Sequence, residues 1–479
     1  MSRSRIVIVG AGFAGYQAAR TLSRTLRGAV EIVLVNPNDY FLYLPLLPEV
    51  ASGVLEPRRV SVSLAGTLPR VRLVLGEVDA IDFDQRRLQY VDPEGRSGEL
   101  DYDRLLLTVG SVNKLLPIPG VAEHAHGFRG MPEALYLRDH VNRQIALASA
   151  SEDPEEAAAR RTFVVVGAGY TGTEVAAHGQ MFTASLARQH SRQERTGKPR
   201  KRGRPEGYEE PATEGEQDEQ GAVQESSGGT AVNSRSWEGE RPRWMLLDIA
   251  PRILPELDER LSKTAHEVLS KRGVEVRTGT SVKEATSEGV LLDSGEFVPT
   301  RSLIWCVGVR PDPLVKDLGL ETEQGRIVVD EYLRVPGRPE VMACGDAAAV
   351  PDLTRPGEIT PMTAQHAVRQ GKTAGRNLAA SFGYGASRPY KHHDLGFMVD
   401  LGGVKAAANP LRVPLSGPLA NLVTRAYHLA AMPGNRVRVL ADWALDAVLP
   451  RQAAQLGLVR SWSVPLESSS PEVARVPAP

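Results

Sequence analysis

The stretch Ile6-Val7-Ile8-Val9-Gly10-Ala11-Gly12-Phe13-Ala14-Gly15 decides the fold, because it recurs as Phe163-Val164-Val165-Val166-Gly167-Ala168-Gly169-Tyr170-Thr171-Gly172. Each copy is a β-branched run, then three glycines at fixed spacing, then an alanine-rich segment of helical character. A lone G-x-G-x-x-G says little; a strand before it and a helix after it make it a nucleotide fingerprint. The first glycine permits the tight turn, the second lets backbone approach a pyrophosphate, and the third lets helix pack on strand. The helix N-terminus offers unpaired N–H groups and a positive dipole end to the phosphates. Two copies predict an α/β chain with two Rossmann-like dinucleotide-binding domains. Gly10, Gly12, Phe13, Ala14 and Gly15 line one site, and Gly167, Gly169, Tyr170 and Gly172 the other.

The second strand of such a unit ends in an acid that holds the ribose hydroxyls, about 20 residues past the glycines. In the second unit this is Asp248, 76 residues after Gly172; taking out the 53 residues of 190–242 leaves 23. A carboxylate there repels a 2′-phosphate, which predicts NADH over NADPH; Arg252 works against that preference. In the first unit the position is Asn36, 21 residues after Gly15 and at the end of Glu31-Ile32-Val33-Leu34-Val35. Asn can bond ribose without the charge, and Asp39 is a nearby alternative.

A chain of 479 residues suggests roughly two to three domains. A net charge of −1 gives no global field to attract nucleic acid. Cys306 and Cys344 form no C-x-x-C pair, so neither a dithiol redox motif nor a cysteine zinc site is expected, and no metal is assigned. Lone thiols fit a reducing compartment. The N-terminal apolar run is too short for a leader, and no stretch is long and apolar enough to span a bilayer. Residues 190–242 hold almost no aliphatic side chains, so we expect this insert to be disordered, with Lys198–Arg204 a solvated charged linker.

Three further segments point to a flavin. Tyr102–Ser111 and Leu303–Pro311 are apolar strands ending in tight turns, and Val341-Met342-Ala343-Cys344-Gly345-Asp346 is a strand ending in Gly-Asp. They resemble the ATG-like turns and C-terminal GD motif of the glutathione-reductase-like flavoproteins. The resemblance implies that Asp346 bonds the ribityl chain of FAD, that the first unit holds FAD, and that the second holds the pyridine nucleotide. It adds Val78, Gly110 and Ala364 to the FAD contacts and Gly308 to the NADH contacts. The expected division is 1–120 and 326–385 for FAD, 121–325 for NADH, and 386–479 for a C-terminal region and tail. Thr360 and Pro361 are placed at the N-cap and first position of a helix whose dipole would stabilise a reduced flavin.

The segment Ala364-Gln365-His366-Ala367-Val368-Arg369-Gln370-Gly371 resembles the Ala-Gln-x-Ala-x-Gln motif of type II NADH:quinone oxidoreductases, with Arg369 in place of the second Gln. Tyr43–Gly53 looks like that family's Pro-Leu-Leu segment, Gly172-Thr173-Glu174 like its Gly-Val-Glu, and Asp248–Leu254 like its Glu-Ala-Gly-Pro-Arg run. The resemblance implies a non-pumping enzyme that passes a hydride from NADH to FAD and two electrons on to a membrane quinone, with Glu174 and Gln365 at the quinone side. Glu174 is also placed in the first turn of its helix, where the dipole favours an acid. His366 is expected to be a packed or exposed helix residue.

Leu415–Leu429 and Val439–Leu449 are apolar at helical spacing with Arg425, Arg436 and Arg438 interspersed. Such stripes fit a helix lying on the inner-leaflet lipid surface, at the cytoplasmic face of the cell membrane. They equally fit a homodimer interface or core packing. Removing everything after about Ser387 is expected to leave both nucleotide sites intact. The alternatives are a soluble reductase of a protein carrier such as ferredoxin or rubredoxin, and an NADH-sensing flavoprotein. Sulfide:quinone oxidoreductase shares the fold and tail but needs cysteines flanking the flavin.

Overall fold

The computed structural model describes residues 3–197, 241–449, 451 and 454–466. The first β-branched run becomes the strand Arg5–Val9, inside a six-stranded sheet. The strand order is Arg334–Val335, Arg338–Ala343, Arg104–Leu107, Arg5–Val9, Glu31–Asn36, Arg72–Leu75. The last five are mutually parallel, and Ile6, Val7 and Ile8 are inaccessible on both faces, as a sheet covered on two sides requires. Arg338–Ala343 thus returns to the N-terminal sheet from beyond the second unit.

The second run, Thr162–Val166, is central to a five-stranded parallel sheet ordered Ala125–Gly127, Leu303–Trp305, Thr162–Val166, Arg243–Asp248, Val274–Thr278. The two sheets meet where Ser111–Asn113 pairs antiparallel with Val309–Pro311.

Residues 190–197 are helical, closing the helix Tyr170–Gly197, so the insert's disorder was assigned too far upstream. Adding residues to an existing helix avoids the cost of nucleation, and Arg, Gln and Glu have good intrinsic helix propensity. The strand Arg243–Asp248 begins just past 242. The remainder of that expectation, 198–240, lies outside the described residues.

The helix carrying Gln365 runs Ala364–Ala380 and is capped by Thr363, whose hydroxyl accepts from His366 N at 3.3 Å. Thr360, placed at the cap from sequence, is instead fully buried and binds inward: its hydroxyl accepts from Gln370 Nε2 at 2.9 Å and its carbonyl from Arg326 at 2.7 Å. The helix lies backbone to backbone on Phe13–Leu26. A Cβ on Gly371 would sit 2.1 Å from Ala14 O, and one on Gly375 2.9 Å from Ala18 O. Two glycines therefore set the distance between Gln365 and the first glycine loop.

The C-terminal region is a three-stranded antiparallel sheet, Met398–Asp400, Ala406–Ala408 and Leu415–Ser416, followed by helices Gly417–Ala431 and Arg436–Val448. The expected helix starting at Leu415 loses its first two residues to a sheet edge. No described helix is long and apolar enough to cross a membrane.

Candidate functional site

The two glycine loops are superimposable in their steric logic. A Cβ on Gly10 would lie 2.4 Å from Thr108 O, and one on Gly167 2.3 Å from Cys306 O. On the third glycines, Gly15 and Gly172, it would lie 1.9 Å and 1.8 Å from the carbonyls of Gly10 and Gly167. On the middle glycines, Gly12 and Gly169, it would meet nothing. First and third glycines are thus closed by the protein itself, while the middle one faces open space at a helix N-terminus, where a pyrophosphate fits. Phe13 packs edge-on against Phe41 at 5.0 Å, and Ala14 lies under Gly371.

Each loop is anchored by the residue ending the second strand. Asn36 Oδ1 accepts from Ala11 N at 2.8 Å, and Asp248 accepts from Ala168 N at 2.5 Å and from Ala250 N at 2.7 Å. Asn36 keeps the loop-anchoring bond of the usual acid and omits the charge. A carboxylate has about four lone-pair sites, so Asp248 keeps acceptors for ribose hydroxyls. Arg252 gives its donors to the carbonyls of Leu257 and Pro255, at 2.8 and 2.7 Å. Asp39 is exposed. Val78 is buried on the strand Glu77–Asp82, two residues after Gly76, whose N–H bonds Asn36 O at 3.0 Å. Replacing Asp248 by Asn copies the solution already used in the first unit. The Asp248→Asn protein is expected to keep its loop and to narrow the NADH-over-NADPH ratio of kcat/KM by about tenfold, as the repulsion of a 2′-phosphate disappears.

At the seam between the sheets, Gly110 and Gly308 have φ of 81° and 95° and face open space. Beside them Ser111 Oγ donates to Asp346 Oδ2 at 2.7 Å, and Gly345 N donates to Gln370 Oε1 at 2.7 Å. The Gly-Asp turn is therefore fixed from both the early strand and the Ala364–Ala380 helix. Cys344 is buried and Cys306 partly so; burial pushes both thiols up, Cys306 to about 12, which disfavours the thiolate.

Gln365 and Glu174 come together through a segment that sequence reasoning did not single out. Gln365 Nε2 donates to Gly396 O at 2.6 Å, and Glu174 Oε1 accepts from Asp400 N at 2.9 Å. Gly396 is required there: its φ is 86°, and a Cβ would lie 2.0 Å from Asn409 O. Between the two contacts Phe397 stacks on Tyr170 at 5.6 Å. Glu174 is not in the first helical turn as expected; the helix starts at Tyr170, which puts Glu174 in the second. Its carboxyl is raised well above the usual range by burial, opposed by the Asp400 N–H and assisted by the charges of Asp400 and Glu49. His366 is packed, its ring stacked 3.9 Å from His392 and bonded to Tyr390 at 2.9 Å, and burial pushes it down to about 4.

The C-terminal helices pack by one face onto the same region. Trp443 Nε1 donates to Glu49 Oε2 at 2.5 Å, Arg59 pairs with Asp442 at 2.9 Å, and Tyr43 OH meets His428 Nδ1 at 3.1 Å. Arg425, expected to meet headgroups, instead lies over the Trp443 ring at 4.8 Å, because the ring and nearby carboxyls offer it an interior partner. Arg436 and Arg438 are exposed and line an open cleft with Arg20 and Arg24. On the outer face Leu419, Leu422, Val437, Leu440, Leu445 and Val448 are exposed, Val437 and Val448 by 80% and 77%.

Glu49, His178 and Asp400 were missed as a group. The signal was present for two of them: each is a lone acid in an apolar run, Leu46-Leu47-Pro48-Glu49-Val50 and Met398-Val399-Asp400-Leu401.

Over 470 residues the chain is 29% identical to the type II NADH:quinone oxidoreductase Ndh of Mycobacterium tuberculosis, covering 94% of this chain and 89% of that protein. It is 27% identical to the demethylphylloquinone reductase NdbB of Synechocystis, covering 90% and 93%. Among solved structures, NDH2 from Plasmodium falciparum in complex with NADH aligns with a TM-score of 0.78 at 16% identity, covering 95% of this chain and 100% of that one. The resemblance drawn from the Ala-Gln segment is borne out by these relatives. The family model for pyridine nucleotide-disulphide oxidoreductases matches residues 4–371, the span that holds both glycine loops, the Gly-Asp turn and Gln365, and the chain belongs to that family.

Proposed function

We propose that the chain is an FAD-dependent NADH:quinone oxidoreductase working at the inner surface of a cell membrane. The observation that carries this reading is the joint attachment of Gln365 and Glu174 to the segment 395–400, at the meeting point of both nucleotide units and the C-terminal region. The open spaces at Gly12 and Gly169 fit two dinucleotides. The FAD unit takes residues 1–120 and 326–385, with Gly10, Gly12, Phe13, Ala14, Gly15, Asn36, Val78, Gly110, Asp346 and Ala364 around it. The NADH unit takes 121–325, with Gly167, Gly169, Tyr170, Gly172, Asp248 and Gly308. FAD, when bound, supplies the two-electron chemistry between nicotinamide and quinone.

The protein's part is to bind, orient and protonate. Asn36 and Asp248 hold their loops so that free N–H groups point at phosphate. Gln365, fixed through Gly396, presents an amide at the acceptor side. Glu174, whose carboxyl burial shifts toward the protonated form, is a hydrogen-bond and proton donor to a quinone oxygen. The exposed apolar row of the C-terminal helices lies in the headgroup layer, and Arg20, Arg24, Arg436 and Arg438 meet anionic lipid.

The test compares acceptors with one donor. Purified, flavin-loaded protein should oxidise NADH with a quinone and should not oxidise sulfide; transfer to ferredoxin or rubredoxin in place of quinone would overturn the reading. The Gln365→Ala protein is expected to lose about fivefold in quinone-dependent kcat, with bleaching by NADH unchanged, since one positioning hydrogen bond is worth about 1 kcal/mol.

A further inference from the structure

Positive charge collects in one cleft with no acid to balance it. The helix Phe13–Leu26 brings Arg20 and Arg24 to one wall, about a turn apart, and the start of the helix Arg436–Val448 brings Arg436 and Arg438 to the other. The cleft holds about 670 Å³. A smaller one of about 290 Å³ adjoins it, sharing Arg20, Arg24 and Thr67 and adding Arg70. No carboxylate lines either of them. The whole chain has a net charge of −1, so the concentration is local.

Neither helix gains from these residues. Like charges four apart repel on a helix surface, which sets Arg20 against Arg24. Arginines in a first turn oppose the positive end of the helix dipole, and the Arg436–Val448 helix has no acid in that turn and no capping side chain to offset them. Burial, then the charges of Arg20, Arg376 and Arg369, push the Lys372 ammonium on the adjacent helix below its ordinary range. Among the described residues, the guanidinium groups of Arg20, Arg24 and Arg438 have no hydrogen bond or ion pair. The walls themselves are fixed. Asn435 Nδ2 donates to Arg58 O at 3.1 Å and to Ser61 O at 3.2 Å, which pins the helix start to the first nucleotide unit. Arg436 spends two donors on the carbonyls of Met432 and Ala430, both at 2.9 Å, and keeps the rest of its guanidinium. Behind the opposite wall Tyr16 is buried and stacked on Phe41 at 4.7 Å. Guanidinium forks on fixed walls around an open space suit the oxygens of a phosphate.

We propose that this cleft seats the phosphate of an anionic phospholipid, one headgroup per chain. The proposal rests on the membrane docking inferred above and turns a general attraction into a defined binding site. What borders the cleft favours a lipid over a soluble phosphate. Val437 lines it and is 80% exposed, and Leu440, 54% exposed, continues the apolar row along the same helix. A headgroup in the cleft leaves its acyl chains beside that row, where apolar surface is taken out of water. The seat joins the first nucleotide unit to the docking helices, so an occupied cleft also fixes how the molecule sits on the membrane.

A short-chain phosphatidylglycerol, soluble and kept monomeric, tests the seat without a membrane surface. Calorimetric titration of the flavin-loaded protein should show saturable binding of one lipid per chain. Arg20→Gln and Arg438→Gln, on opposite walls, should each weaken it about tenfold or more, since each removes a charge-assisted hydrogen bond. Arg24→Gln is the second variant on the first wall if Arg20→Gln fails to fold. Arg412→Gln removes the same charge from an exposed position outside the cleft and should leave binding nearly unchanged, because charges distant from the ligand are screened. Inorganic phosphate, titrated alone, should bind far more weakly than the lipid. Binding that never saturates, or equal weakening by Arg412→Gln, would overturn the seat. Inorganic phosphate held as tightly as the lipid would give the cleft to a soluble anion and overturn the lipid assignment. Sedimentation with anionic vesicles is a separate readout: unmodified protein that stays in solution would sink the docking reading, while the monomer titration decides the seat by itself.

Discussion

Replacing Gly12 by valine is expected to give a folded chain that purifies without flavin. The position faces open space, so the fold pays nothing for the added side chain, but the space is the one a pyrophosphate needs. Losing two charge-assisted hydrogen bonds to phosphate, each worth about 1.5–3 kcal/mol, weakens FAD binding by roughly a hundred- to ten-thousandfold. Gly169→Val should keep the flavin and lose NADH by the same margin. Gly10→Val should behave differently again and fail to fold, because its Cβ would meet Thr108 O at a φ of 94°. Flavin absorbance and circular dichroism on the three proteins check the set. Full flavin content in Gly12→Val would show that the first loop holds no FAD.

The second large effect concerns the C-terminal helices. Changing Val437, Leu440 and Val448 together to serine removes three exposed apolar side chains from one helix face and touches none of the inward residues Val439, Asp442 and Trp443. Each apolar side chain contributes about 1.5 kcal/mol or more when taken out of water, so vesicle binding should weaken by roughly a thousandfold. Turnover with a long-chain quinone should fall in step, and turnover with a short-chain soluble quinone should not. Unchanged sedimentation with anionic vesicles would refute docking by this face; a change in oligomeric state instead would assign it to a second copy of the chain. Cutting the chain after Ser387, the simpler experiment suggested by sequence, removes Gly396, Asp400 and Trp443 together and so takes away the partners of Gln365, Glu174 and Glu49 as well.

What sequence could show and what it could not divide along physical lines. The nucleotide units were legible because a strand, three glycines and a helix form a local pattern. Even the anchoring position survived the long stretch between helix and strand, since Asp248 must still end the neighbouring strand. The cap at Thr363 was missed because Thr360 has the same chemistry, and only the burial of Thr360 among Gln370 and Arg326 separates them. The inward turn of Arg425 was invisible for the same reason: its partner, the Trp443 ring, lies on another helix. The bond from Trp443 to Glu49 joins residues 394 positions apart, and helical or strand periodicity carries no record of such contacts.

The central claim is that electrons pass from NADH through a bound flavin to quinone within one site. A double-mixing stopped-flow experiment on the flavin-loaded protein tests it most directly, with NADH in the first mix and long-chain quinone in anionic vesicles in the second. The flavin absorbance should bleach on the first mix and return on the second, with one quinol formed for each flavin reoxidised. Bleaching that persists in the presence of quinone would contradict the proposed function.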